Sequence, residues 1–171
     1  MSLRIGKWLK AHWKAVLAHS LVLSGFLFYC VFLSGSLFDR FEVIHGEAKL
    51  QNILLPAESE TLRSHIEQLE LGPRVTEVQG SAFIDGQSSD NSQTYIVLKS
   101  DRKCYVFDAM TQLRADVTVA CSDLNLNLDW SGFHCNIPMR RITTGEYAIG
   151  IYVKKGDIEA LGFTDRVLVK S

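Results

Sequence analysis

Residues 129–138 read "DWSGFHCNIP", and within seven positions they hold an aspartate, a serine, a histidine and a cysteine. Those residue types build hydrolase sites, yet the same stretch alternates as a strand does. Successive side chains of a strand point to opposite faces, so Phe133, Cys135 and Ile137 share one face while His134 and Asn136 take the other. The apolar set defines the core side, which predicts Cys135 buried and His134 exposed. A nucleophile and its base must meet in space, and neighbours along a strand point apart. No G-x-S-x-G turn presents Ser131. The stretch reads as a strand.

Working outward, the same signal recurs. "RVTEVQGSAFI" (74–84) is rich in β-branched residues and ends at the polar loop "DGQSSDNSQ" (85–93). "TYIVLKS" (94–100) and "CYVFDA" (104–109) flank a short turn, and "EYAIGIYVK" (146–154) and "RVLVKS" (166–171) follow, punctuated by "TTGE" and "KKGD". "TLRSHIEQLEL" (61–71) fits either a helix, through Leu62, Ile66 and Leu69, or a strand, through Leu69 and Leu71. Strands at this spacing, with no helix of useful length between them, predict an all-β antiparallel sandwich, immunoglobulin-like or jelly-roll-like, over residues 61–171.

Charge is divided unevenly along the 171 residues. Residues 1–38 carry four basic side chains (Arg4, Lys7, Lys10, Lys14) and no acid, whereas residues 39–171 carry 14 basic and 19 acidic ones. No basic face or stripe appears beyond the N-terminus, which argues against a nucleic-acid partner. The segment "AVLAHSLVLSGFLFYCVFLSGSLF" (15–38) has no formally charged residue, and 17 of its 24 positions are hydrophobic. As a helix it would span roughly 36 Å, enough for a hydrocarbon core of about 30 Å. The basic flank before it and Asp39, Arg40 and Glu42 after it place the N-terminus in the cytoplasm and the rest outside. Trp8 and Trp13 suit the headgroup layer. A cleaved signal peptide is the alternative, although such apolar cores run shorter. His19 lies within reach of the interface, and Ser20 and Ser24 form a small-xxx-small pair that lets another helix approach. The expected order is therefore a basic cytoplasmic N-terminus (1–14), a transmembrane helix (15–38), a juxtamembrane connector (39–60) and an extracytoplasmic sandwich (61–171). The lipid bilayer is its first partner.

Four short motifs carry a resemblance. They are Gly80, Ala82 and Phe83 in G-x-A-F, Arg114, Asp116 and Val117 in R-x-D-V, Ser131–Phe133 in S-G-F, and Gly145–Tyr147 in G-E-Y. Over residues 62–171 the chain resembles a β-sandwich module of bacterial cell-envelope proteins, of the type that accompanies surface-glycan and teichoic-acid glycosyltransferases and recurs in anchored proteins. The resemblance implies a sandwich, a strand at 61–71 and an accessory role without catalysis. Relatives often have Trp before the A-F pair, where this chain has Ser81.

Candidate ligand contacts follow from chemistry. Trp130, after "NLNLD", offers an indole that stacks on a sugar, with Asp129 and Asn127 beside it as hydrogen-bonding groups for hydroxyls. Arg114 either grips an anionic ligand or pairs with Asp116. The His and Cys residues lack the close pairs of zinc sites, and Asp85, Asp90 and Asn91 lack EF-hand spacing, so no metal is expected. No nucleotide fingerprint is present, so no cofactor is expected. Cys104, Cys121 and Cys135, in an oxidising compartment, permit one disulfide and a leftover thiol. The function expected is a membrane-anchored, non-catalytic module contacting an envelope glycan or envelope protein. The alternative is an accessory subunit of an integral-membrane enzyme complex.

Overall fold

The structure, a computed structural model, describes residues 2–30 and 46–171. Residues 31–38 of the expected span and 39–45 of the connector lie outside the described residues. The chain divides into two units, 1–45 and 46–171.

In the first unit, helix α1 runs Ser2–Phe28. Alanine, leucine and lysine dominate its first half, all good helix formers. The His19 ring donates from Nδ1 to the Ala15 carbonyl at 2.6 Å, one turn back. No helix among the described residues is long and apolar enough to cross a membrane. Lys14 and the imidazoles of His12 and His19 interrupt the apolar character of α1, and the apolar run in the sequence continues past its end, to residue 38.

The second unit is built from nine strands. They are β1 (Leu50–Gln51), β2 (Leu62–Leu71), β3 (Val75–Ile84), β4 (Gln93–Lys99), β5 (Cys104–Asp108), β6 (Met110–Gln112), β7 (Gly132–Pro138), β8 (Gly145–Lys155) and β9 (Ile158–Lys170). One short helix, α2 (Ala115–Ala120), separates β6 from β7. Sheet A has the order β1-β5-β4-β8-β9 and sheet B the order β2-β3-β7-β6, with every ladder antiparallel. The expected antiparallel sandwich is what forms, and residues 61–71 are a strand.

The core lies between the sheets. Phe133, Cys135 and Ile137 of β7 meet Val78, Ala82 and Ile84 of β3 and Ile96, Leu98, Phe107, Ile149 and Ile151 from sheet A. Tyr147, near the start of β8, is buried in the same core, and its hydroxyl donates to the Thr143 carbonyl at 2.9 Å. That bond satisfies the one polar atom the ring carries inward and pins the turn before β8. Gly145, at φ +152, supplies the backbone there that other residues rarely adopt.

Two expectations need correction. The connector does not reach residue 60: the compact unit begins at Gly46, and residues 46–60 form a strap. Ala48 donates its N–H to the Asn136 carbonyl of sheet B at 2.8 Å, where β6 has ended and left β7 open. Leu50 and Gln51 then pair with β5 of sheet A, and Glu58 and Ser59 reach Leu161 of β9. Between these ends Ile53 and Leu55 pack on a second apolar cluster, Val97, Val106, Tyr152 and Leu161, on the outer face of sheet A. The sequence looked loop-like because a strap takes its hydrogen bonds one at a time. The second correction is β9, which starts at Ile158 rather than near Arg166. Gly156, at φ +59, turns the chain from β8 into it, and Gly162 and Asp165 hid its first half.

Candidate functional site

The hydrolase-type residues of 129–135 do not converge, as a strand reading requires. Ser131 is buried, and its Oγ has no hydrogen-bond partner among the described residues. Cys135 sits in the core, where its Sγ–H donates to the Asp108 carbonyl at 3.4 Å and burial pushes the thiol pKa well up. His134 faces the other side of sheet B and contacts Glu77 Oε1 through Nε2 at 2.8 Å. It is half-buried, with its side chain 17% exposed, rather than exposed as expected. The carboxylate opposite draws the ring down onto the sheet.

Arg114 is fully engaged. Its Nε and Nη2 donate to the two carboxylate oxygens of Asp116 at 2.8 and 2.6 Å, and its Nη1 donates to Glu67 at 2.7 Å. A bidentate fork with a second carboxylate uses three of the five guanidinium N–H donors and neutralises the charge a ligand anion would seek. The pairing with Asp116 expected from the sequence is present. The Asp116 pKa is lowered, chiefly by the hydrogen bond from Arg114. Its contribution to stability is therefore fully present above the ordinary aspartate range and is lost as the pH falls below that range through the lowered folded-state pKa.

Local backbone features place these groups. Register slips between Ile66 and Gln68, leaving Glu67 as an extra residue in β2 and re-aiming it at Arg114. Gly80 faces this bulge: a Cβ there would collide with the His65 carbonyl and touch the Phe133 ring at 3.0 Å. Gly132 stands against Arg114 in the same way, a Cβ there lying 2.7 Å from the Gln112 carbonyl. The G-x-A-F, R-x-D-V and S-G-F residues are thus parts of one packed corner. Gly80→Ala is expected to cost about 1–3 kcal/mol, as overpacking does. It should also raise amide exchange across β2, measurable by hydrogen–deuterium exchange; unchanged β2 protection would contradict this placement.

The loop ahead of β7 is tied down from several sides. Ser89 Oγ accepts the Trp130 N–H at 2.9 Å, and the Ser89 N–H donates to the Asn127 carbonyl at 2.9 Å. Thr118 Oγ1 donates to Asp129 Oδ1 at 2.6 Å and accepts the Leu128 N–H at 2.9 Å. Asn127 Oδ1 accepts the Asp129 N–H at 3.0 Å, and its Nδ2 reaches Asp90 at 3.5 Å. Leu128 plugs the loop into the protein, fully buried. Trp130 turns outward, the one large apolar side chain of this loop that is exposed, at 47%, while Asn125 and Asn127 are exposed polar neighbours. The structure thus brings Asn127, Asp129 and Trp130 together, with Asn127 and Asp129 committed largely to the loop itself. Arg114 touches the group through its backbone, donating its N–H to the Asp129 carbonyl at 2.6 Å. Ser89 and Thr118 escaped the sequence reading, since a hydroxyl in a polar loop gives no sign of which backbone group it will meet.

The polar loop 85–92 is likewise occupied. Asp85 pairs with Arg63 at 2.5 Å, and Lys155 donates to Ser88 at 2.6 Å. Among the described residues no group of three or more potential ligands could hold a metal ion. Cys104, Cys121 and Cys135 are all free thiols, so the disulfide that their number permitted is not formed. In comparisons with protein-family models, curated proteins and solved structures, nothing matches the chain.

Proposed function

We propose that the chain is a membrane-anchored, non-catalytic β-sandwich module whose Trp130 loop contacts an envelope glycan or envelope protein outside the cytoplasm. The observation that carries the contact is the exposed indole on a loop whose backbone is tied down by Ser89 and Thr118. A flat aromatic face held by a rigid backbone loses little entropy on binding. The anchor is supported by the side chains of α1. Leu21, Val22 and Leu23, each about 100° further round the helix, are all more than 60% exposed, as is Phe26. Over that last part of α1 the apolar side chains point in several directions, which suits an apolar surrounding. The basic flank before residue 15 supports the orientation.

The full chain should stay in the membrane pellet after a carbonate wash. In detergent, envelope glycans should change the tryptophan fluorescence in the high-micromolar to millimolar range, since a few exposed hydrogen bonds contribute about 1 kcal/mol each. That change should vanish in Trp130→Ala, whereas Trp13→Phe, on α1, should preserve it. A flat titration against a broad glycan panel would remove the glycan contact. Co-purification of an integral-membrane enzyme in fixed ratio would then support docking through α1, the accessory-subunit reading.

A further inference from the structure

A groove of about 340 Å³ opens on the outer face of sheet B against α2. β2 contributes Arg63 and His65 to it, β3 contributes Ser81 and Phe83, and the α2 segment contributes Val117 and Cys121. Arg114 and Asp116 line it as well.

The chemistry of the lining selects among ligands. Both guanidiniums are already held by carboxylates, Arg63 by Asp85 and Arg114 by Asp116 and Glu67. An anion entering the groove would have to compete with carboxylates at hydrogen-bond distance, so charge does not favour it. His65 and Ser81, in contrast, stand directly opposite each other across the β2–β3 ladder. Opposed side chains there have Cβ atoms about 5 Å apart. Neither side chain has a protein hydrogen-bond partner among the described residues, and with His65 exposed and Ser81 half-buried, a ligand in the groove has only water to displace from the imidazole and the hydroxyl. Half-buried Val117 supplies apolar surface beside them, with the small part of the Phe83 ring that is not buried behind it. A ring that carries hydroxyls on its rim and C–H groups on its face meets both demands. The volume lies near the lower end of small-molecule pockets, roughly 300–1,000 Å³, which limits the occupant to one or two such rings.

We propose that this groove binds a neutral saccharide unit, through His65 and Ser81 against Phe83 and Val117. It would be a second contact beside Trp130, and it rests on the glycan reading of the module. Cys121, half-buried on the groove wall, reports on occupancy, and exposed Cys104 on the β4–β5 turn serves as the internal control.

The full chain in detergent is alkylated with iodoacetamide, and both cysteines are followed by mass spectrometry. Chitotriose or maltotriose should slow Cys121 about threefold at twice its Kd and leave Cys104 unchanged. His65→Ala and Ser81→Ala should abolish the protection, and Trp130→Ala should keep it. Protection by tripolyphosphate, or protection that Trp130→Ala removes while His65→Ala does not, would overturn the assignment. Trp130 quenching by the same sugars with Cys121 unprotected would overturn the groove and leave the module reading standing. Silence from both probes would remove both.

Discussion

Phe133→Ala should lower the unfolding free energy of the 46–171 unit by about 3–5 kcal/mol, the range for deleting a fully buried aromatic ring. The ring touches both sheets: it stands over Gly80 of β3 and lies in the core with Ile96, Phe107 and Ile149 of sheet A. Gly80 leaves no side chain that could swing into the space, so relaxation would fill little of the cavity. The next residue gives the contrast. His134 faces the opposite side of sheet B, and its contact with Glu77 is partly open to water. His134→Ala should cost about 1 kcal/mol or less, as partly solvated pairs do. Denaturant unfolding monitored at equilibrium measures both. Equal losses at the two positions would mean that β7 does not alternate as described, and the inward assignment of Cys135 would fall with it.

The alternation that fixes these outcomes was legible because it is local. Each residue of β7 is pushed in or out by its own character, and "FHCNIP" carries the pattern without help from the rest of the chain. The same holds for β3, β4 and β8, whose apolar runs are long enough to speak alone. Features that depend on a distant partner were not legible. The bulge at Glu67 makes sense only once Arg114 is known to stand across from it. Thr118 is an ordinary helix residue until Asp129 is brought to its hydroxyl. At the candidate site, chemical type identified Trp130 and grouped it with Asn127 and Asp129. Residue type could not say that the two polar side chains would be used to hold the loop. Arg114 shows the same limit, since a guanidinium in R-x-D-V binds a ligand or its neighbour according to which carboxylates the fold delivers.

The strap is the largest such case, and removing it gives the second large effect expected. A chain beginning at Gly46 should unfold in one cooperative transition, while one beginning at Thr61 should lose on the order of 5 kcal/mol, given roughly 1.5–3 kcal/mol for each apolar side chain returned to water. Val97, Val106, Tyr152 and Leu161 would all lose cover, together with the burial of Ile53 and Leu55. The truncation also removes the two-pronged Arg140–Glu47 pair, at 2.7 and 2.6 Å, and the Ala48 bond that closes the open half of β7. One term opposes the loss. The Tyr152 hydroxyl is buried beside Glu159 with no well-formed hydrogen bond among the described residues, and burial, followed by that carboxylate, pushes its pKa up to about 12, so exposure would hydrate it. That relief amounts to about 1–3 kcal/mol and does not reverse the sign. Substitution within the strap separates cover from chain length. Ile53→Asp with Leu55→Asp should approach the truncation, whereas Leu54→Asp should be nearly silent, because Leu54 points outward at 95% exposure. If Leu54→Asp proves as costly as the pair, or if the two fragments are equally stable, residues 46–60 are a tether and not part of the sandwich.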